Sequence, residues 1–183
     1  MTSEKKLTLP TADEKAINEL LKKLCDAWEC SDGSAYALLF IDDAHFVAAP
    51  GFRIVGNKFI GSDHQEMFNS IFKFTRIDGN YEQEMQALTP DVVLIHSLGN
   101  VFFPGETEQN AKPTGLTTIC VVKRNEEWKI ASFQNTRTGK FGTLNFMWRF
   151  IFSRRYMLNA TWKKEAKRII EEKQRNIDTW KHT

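Results

Sequence analysis

Residues 117–138, TTICVVKRNEEWKIASFQNTRT, read as two β-strands joined by a tight polar turn. Ile119, Cys120, Val121 and Val122 make the first run, 124–127 the turn and 128–135 the second run. β-Branched and aromatic residues fill both arms and a short charged segment divides them, which is the pattern of a hairpin. The second arm ends on Gln134 and Asn135, where a core strand would stay apolar. The rest of the chain reads as a wrapper around this hairpin.

Upstream, Thr11-Ala12-Asp13-Glu14 has the spacing of a capping box with Thr11 as N-cap. Ile17, Leu20, Leu21, Leu24 and Trp28 then recur at helical spacing, so a first helix runs to about residues 31–33. A short second helix is expected over 34–40, closed by Asp42-Asp43 as a cap or turn. Segments 46–49 and 52–55 flank Pro50-Gly51 as a small hairpin. A third helix, 59–74, carries Ile60, His64, Met67, Phe68, Ile71 and Phe72 at helical spacing. From Asn80 the period changes to that of strands, 81–88 and 92–103, followed by a polar loop over 106–112. Three N-terminal helices before a run of long strands predict an α+β domain: a curved, antiparallel-rich sheet covered by helices. A pocket between the two layers is the natural place for a ligand. The expected division is a flexible lead, 1–10, the domain proper, 11–138, and a C-terminal helical extension, 139–183.

The bulk numbers fit that division. With 183 residues, 42% of them hydrophobic and 26% charged, the chain suits one well-buried domain plus an appendage. No stretch reaches the ~18 apolar residues of a membrane helix, and the polar start MTSEKKLTLP lacks a secretory core, so a cytoplasmic location is expected. The three cysteines, Cys25, Cys30 and Cys120, are odd in number and lack metal-ligand spacing. Neither a metal nor another cofactor is expected. The net charge of +2 hides an asymmetry: 140–183 carries 11 Lys/Arg against 4 Asp/Glu, and 1–139 carries 14 against 19. An acidic body with a basic tail implies a tail that folds back or one that seeks an anionic partner.

The order of elements, with Trp28 closing the first helix, Gly51 in the small hairpin and Gly56 before the third helix, resembles the SnoaL-like, nuclear transport factor 2-like cone fold. Within that superfamily the segments Ile60…His64…Phe68, Asp91-Val-Val-Leu-Ile-His96 and Trp128-Lys-Ile-Ala-Ser-Phe-Gln-Asn-Thr136 resemble the SgcJ/EcaC group. The resemblance covers residues 12–138. It implies a cystatin-like roll with a cone-shaped sheet, a hydrophobic cavity, a homodimer and, for most members, no established reaction. Enzymes of the superfamily imply isomerase, dehydratase, cyclase or hydrolase chemistry. The ketosteroid isomerases place a general-base Asp near the tip of the first hairpin, where this chain has Ala48-Ala49-Pro50, so that reaction is argued against.

His64 and His96 are the candidate acid–base residues, because histidine titrates near neutrality. His64 shares a helix face with Ile60 and Phe68, and His96 follows the apolar run 92–95. The plain alternative for each is a core histidine satisfied by a backbone carbonyl. Of Gln134 and Asn135 only one can face inward on a strand. Alternation puts Gln134 with Trp128, Ile130 and Ser132, and Asn135 with Ala131 and Phe133. Trp28, Phe46 and Phe68 are candidate pocket residues, or else plain core. In the extension, 144–158 mixes aromatics with arginine, and 160–180 forms a basic helix with an apolar stripe from Trp162 to Trp180. Packing of this tail on the body or in a dimer is the preferred reading, ahead of nucleic-acid contact and of peripheral attachment to a membrane. The function expected is binding of a small hydrophobic ligand, with an enzyme of unassigned reaction inside the same reading. The alternative is a non-catalytic dimeric interaction module whose tail mediates assembly or membrane-surface attachment.

Overall fold

A sheet that is apolar on one face needs a cover, and here the N-terminal helices supply it. The computed structural model describes residues 7–106, 113–138, 142–157 and 159–182. Residues 1–6 of the expected lead, 107–112 of the polar loop and 139–141 of the extension lie outside the described residues. In chain order the elements are α1 (Thr11–Glu29), α2 (Gly33–Leu38), β1 (Phe40–Val47), β2 (Arg53–Val55), α3 (Asn57–Asn69), β3 (Arg76–Thr89), β4 (Val92–Phe102), β5 (Gly115–Arg124), β6 (Glu127–Arg137), α4 (Gly142–Met157) and α5 (Ala160–Lys181). The strands form a mixed sheet in the order β2-β1-β6-β5-β4-β3. Among the described residues, only the β1–β6 pairing is parallel. The β5–β6 hairpin therefore occupies the centre of the sheet. Its turn is made by Asn125 and Glu126, both with positive φ (52° and 63°), the geometry that lets a two-residue turn match strand twist.

Local expectations shift at three places. Thr11 opens α1 but does not cap it: the N-cap is Pro10, with no side-chain cap bond. Asp13 is instead drawn to the sheet, accepting from Trp128 Nε1 at 2.9 Å and pairing with Lys123 Nζ at 3.1 Å. Asp42 and Asp43 neither cap nor turn. Both lie in β1 and are exposed, in the stretch where its register on β6 shifts, and Asp42 accepts from the Asn57 amide at 3.0 Å. The third helix stops at Asn69, short of 74, because the chain turns back through Ser70 and Phe72 onto the Met67 carbonyl and Phe74 adopts a positive φ of 62°.

The core lies between α1 and the sheet. Ile17, Leu20 and Leu24 on α1 face Val93, Ile95, Ile119 and Val121, all buried. The basic tail folds back through α5, whose Ile177 is fully buried. Lys173 pairs with Glu29 at 2.6 Å and with the buried Asp26 at 3.1 Å, and Lys181 pairs with Asp32 at 2.6 Å. Burial opposes the charge on Asp32, yet the Lys181 ammonium and the Ala35 N–H outweigh it and hold the carboxyl down at about 2. The same contest on Lys173 ends with its ammonium above the usual range. These pairs are half-buried rather than fully exposed, so they are screened less than ordinary surface pairs.

The helices α2 and α3 approach backbone to backbone. A Cβ on Gly61 would stand 2.7 Å from both the Gly33 carbonyl oxygen and the Ala37 Cβ, and one on Gly33 would collide with the Gly61 carbonyl oxygen. Gln65 clasps the same crossing, accepting from Gly33 N at 2.9 Å and donating to Ser31 O at 3.1 Å. Gly61→Ala is expected to lower stability by about 1–3 kcal/mol through overpacking. The exposed neighbour Ser62→Ala should stay within about 0.5 kcal/mol. Urea unfolding of the two variants beside wild type checks the difference.

Candidate functional site

His64 is the centre of the site. It projects from α3 toward the sheet and has no exposed surface. Tyr36 stacks on its ring at 4.3 Å between centroids, Phe46 meets it edge-on at 4.8 Å, and Phe68 and Trp28 close it at 5.8 and 6.0 Å. Nδ1 lies 2.7 Å from the Ile60 carbonyl oxygen. A carbonyl can only accept, so Nδ1 carries the hydrogen and donates it. In the neutral ring Nε2 is then a bare acceptor, and it is buried with no partner. Burial among these rings pushes the imidazole pKa down to about 4, against smaller upward pulls from the Ile60 carbonyl and Asp63. At neutral pH the site therefore holds an uncharged imidazole with one unused lone pair. An unmade buried hydrogen bond costs about 1–3 kcal/mol, so such an atom is rare in a settled core.

The sheet presents a polar row to the same layer. Ile95, Ile119 and Phe133 pair across the sheet and are buried; two residues further along, Ser97, Thr117 and Asn135 pair in the same way on the same face. That separation is about 7 Å along a strand. Phe133 links the two parts of the site, since it stacks on Phe46 at 4.9 Å with the planes 7° apart.

Asn135 faces inward because β6 carries a bulge. Val121 pairs with Ile130 and Cys120 with Ser132, which leaves Ala131 without an opposite residue. The alternation inferred from sequence is thereby reversed beyond Ala131. Phe133 and Asn135, not Ser132 and Gln134, continue the face of Trp128 and Ile130. Gln134 is exposed.

His96 is corrected in the same sense. It pairs with Thr118 in β5 and through it with Gln134 on the outer face, and its side chain is exposed. The apolar run before it alternates, with Val93 and Ile95 inward and the histidine out. Its expected role inside the cone is not compatible with that placement. Trp28, Phe46 and Phe68 are buried around His64 as core rings. The Trp28 indole is already committed, donating to Thr75 Oγ1 at 2.9 Å. Tyr36, Ser97, Thr117 and Phe133 were not anticipated. Tyr36 sits in a short helix with no periodicity to mark it, and the other three depend on strand register.

No family model and no curated protein matches the sequence. Solved structures do. A domain of unknown function with a cystatin-like fold from Nostoc punctiforme is 25% identical and superposes with a TM-score of 0.63, over 91% of this chain and 99% of that one. A nuclear transport factor 2-like protein of unknown function from Pseudomonas putida is 16% identical, with a TM-score of 0.61 over 73% of this chain and 92% of that one. This chain has the nuclear transport factor 2-like, cystatin-like fold. The Nostoc match spans more of the chain than residues 11–138 can supply, so it extends outside the cone itself. A candidate scytalone dehydratase from Novosphingobium aromaticivorans matches at 17% identity and a TM-score of 0.57, over 70% of this chain and 85% of that one. At that identity the likeness carries fold and nothing finer.

The depressed pKa of His64 has a measurable sign. Its folded value lies below the ordinary 6.5, so its contribution to stability is complete above that pH and is lost as pH falls toward about 4. The loss amounts to about 3 kcal/mol at most. Asp32 acts only below the ordinary 3.8, so the two windows do not overlap. Wild type is expected to lose stability steeply between pH 6.5 and 4, and His64→Leu much less. Urea midpoints measured across that range check it.

Proposed function

We propose that the cone binds a small, largely apolar molecule carrying a hydroxyl group, which donates its hydrogen bond to His64 Nε2. The observation behind this reading is the buried, unpartnered Nε2 of a ring packed beside Tyr36, Phe46, Phe68 and Trp28. The rings favour a flat or aromatic body, and Ser97, Thr117 and Asn135 supply a second polar anchor on the same face. Binding is favoured over catalysis by the same residue. A base whose conjugate acid has a pKa near 4 is a weak one at neutral pH, whereas general bases work best when their pKa lies near the operating pH. His64 is suited to accepting a hydrogen bond, not to abstracting a proton. Within the superfamily, the segment from Phe133 to Thr136 supports placement near the SgcJ/EcaC group.

Paired probes test the reading. Trp28 lies beside His64, so titration can be followed by tryptophan fluorescence with 2-naphthol and with naphthalene. Wild type is expected to prefer 2-naphthol about tenfold, the worth of one buried hydrogen bond. His64→Leu is expected to bind the two probes equally. Equal affinities in folded wild type, or a preference that survives in His64→Leu, would overturn the assignment.

A further inference from the structure

We propose that the outward face of α4 seats this protein on an anionic lipid bilayer. One side of α4 is fixed to the body. Arg149 grips both carboxylate oxygens of Glu106 at 2.6 and 2.7 Å and donates to the Val101 carbonyl at 2.6 Å. Phe150 packs edge-on against Phe103, and Ser153 is buried. With that side anchored, the opposite side faces solvent, and four of its described residues are large and apolar. Met147, Trp148, Ile151 and Phe152 are 54%, 58%, 51% and 58% exposed. Their spacing places them on one stripe, and the Trp148 and Phe152 rings stack at 5.8 Å. Exposed aromatics in a contiguous patch mark an interaction surface.

Charge decides what covers it. Arg154 is exposed one turn from Ile151, and Lys163 and Lys164 are exposed near the start of α5. None of the three makes an ion pair among the described residues, in contrast to Lys173 and Lys181, which are held by the body. A second copy laid on the patch would bring two positively charged edges, each carrying Arg154, into one interface. An anionic bilayer attracts them while the Trp, Phe, Ile and Met side chains enter the headgroup boundary, as in helices that lie in the membrane plane. No helix among the described residues is long and apolar enough to cross a membrane, so the attachment is peripheral.

Co-sedimentation of the full chain with vesicles tests this, using phosphatidylcholine alone and an equimolar mixture with phosphatidylglycerol. Wild type is expected to pellet with the anionic vesicles and to stay in solution with the neutral ones. The double variant Trp148→Ser, Phe152→Ser, with an unchanged thermal midpoint, is expected to lose pelleting. The triple variant Arg154→Gln, Lys163→Gln, Lys164→Gln is expected to bind about a hundredfold more weakly, at about fivefold per cation. No lipid-dependent pelleting of folded wild type overturns the proposal, as does a serine double variant that pellets unchanged. Size exclusion without lipid supplies the remaining outcome: a dimer abolished by the serine pair would assign the face to a second copy instead.

Discussion

A strand that buries one face must keep its register along its whole length, because a slip of one residue carries every side chain to the other side. In β6 that register is broken and restored by one inserted residue. Ala131 has no partner on β5, and its insertion turns Phe133 and Asn135 inward while sending Gln134 out. Much of the interior depends on that shift. Phe133 reaches the core to stack on Phe46, and Phe46 in turn meets His64. The parallel pairing of β1 with β6 places those two rings in register, Phe46 opposite Phe133. The bulge and the parallel strand together build the wall on which the aromatic cluster around His64 rests.

The helices hold the other side of that cluster by close approach rather than by bulk. The Gly33–Gly61 crossing lets α2 and α3 meet at backbone distance, and this sets Tyr36 flat on the His64 ring. The outcome is a neutral imidazole with one nitrogen satisfied by its own helix and the other left open. Burial that enforces neutrality also makes the open nitrogen an acceptor of unusual isolation. The proposed recognition of a hydroxyl and the weakness as a base are two consequences of a single environment.

The two C-terminal helices use their charges in opposite ways. On α5, Lys173 and Lys181 turn inward to Asp26, Glu29 and Asp32, and an acidic body thereby recovers a basic tail. On α4, Arg149 anchors the helix, Arg154 stays exposed, and Met147, Trp148, Ile151 and Phe152 face solvent. An overall charge count cannot distinguish these arrangements, since both helices contribute to the same basic excess.

The element order, the central hairpin 117–138, the N-terminal helices and the basic tail are legible in the amino-acid sequence, because each is written in local periodicity and turn chemistry. The helical spacing of Ile17, Leu20, Leu24 and Trp28 reports which residues seek burial. It also placed His64 on the inward face of its helix. Strand register and long-range contacts turn His96 outward, bring Asn135 rather than Gln134 to the inner face, and set Tyr36 beside His64. A bulge adds a residue without any compositional mark, and a stack between residues 28 positions apart leaves no local trace. Nor could periodicity show which side of α4 would be covered. That depended on a salt bridge from Arg149 to Glu106, formed across a separation of 43 residues that only folding closes.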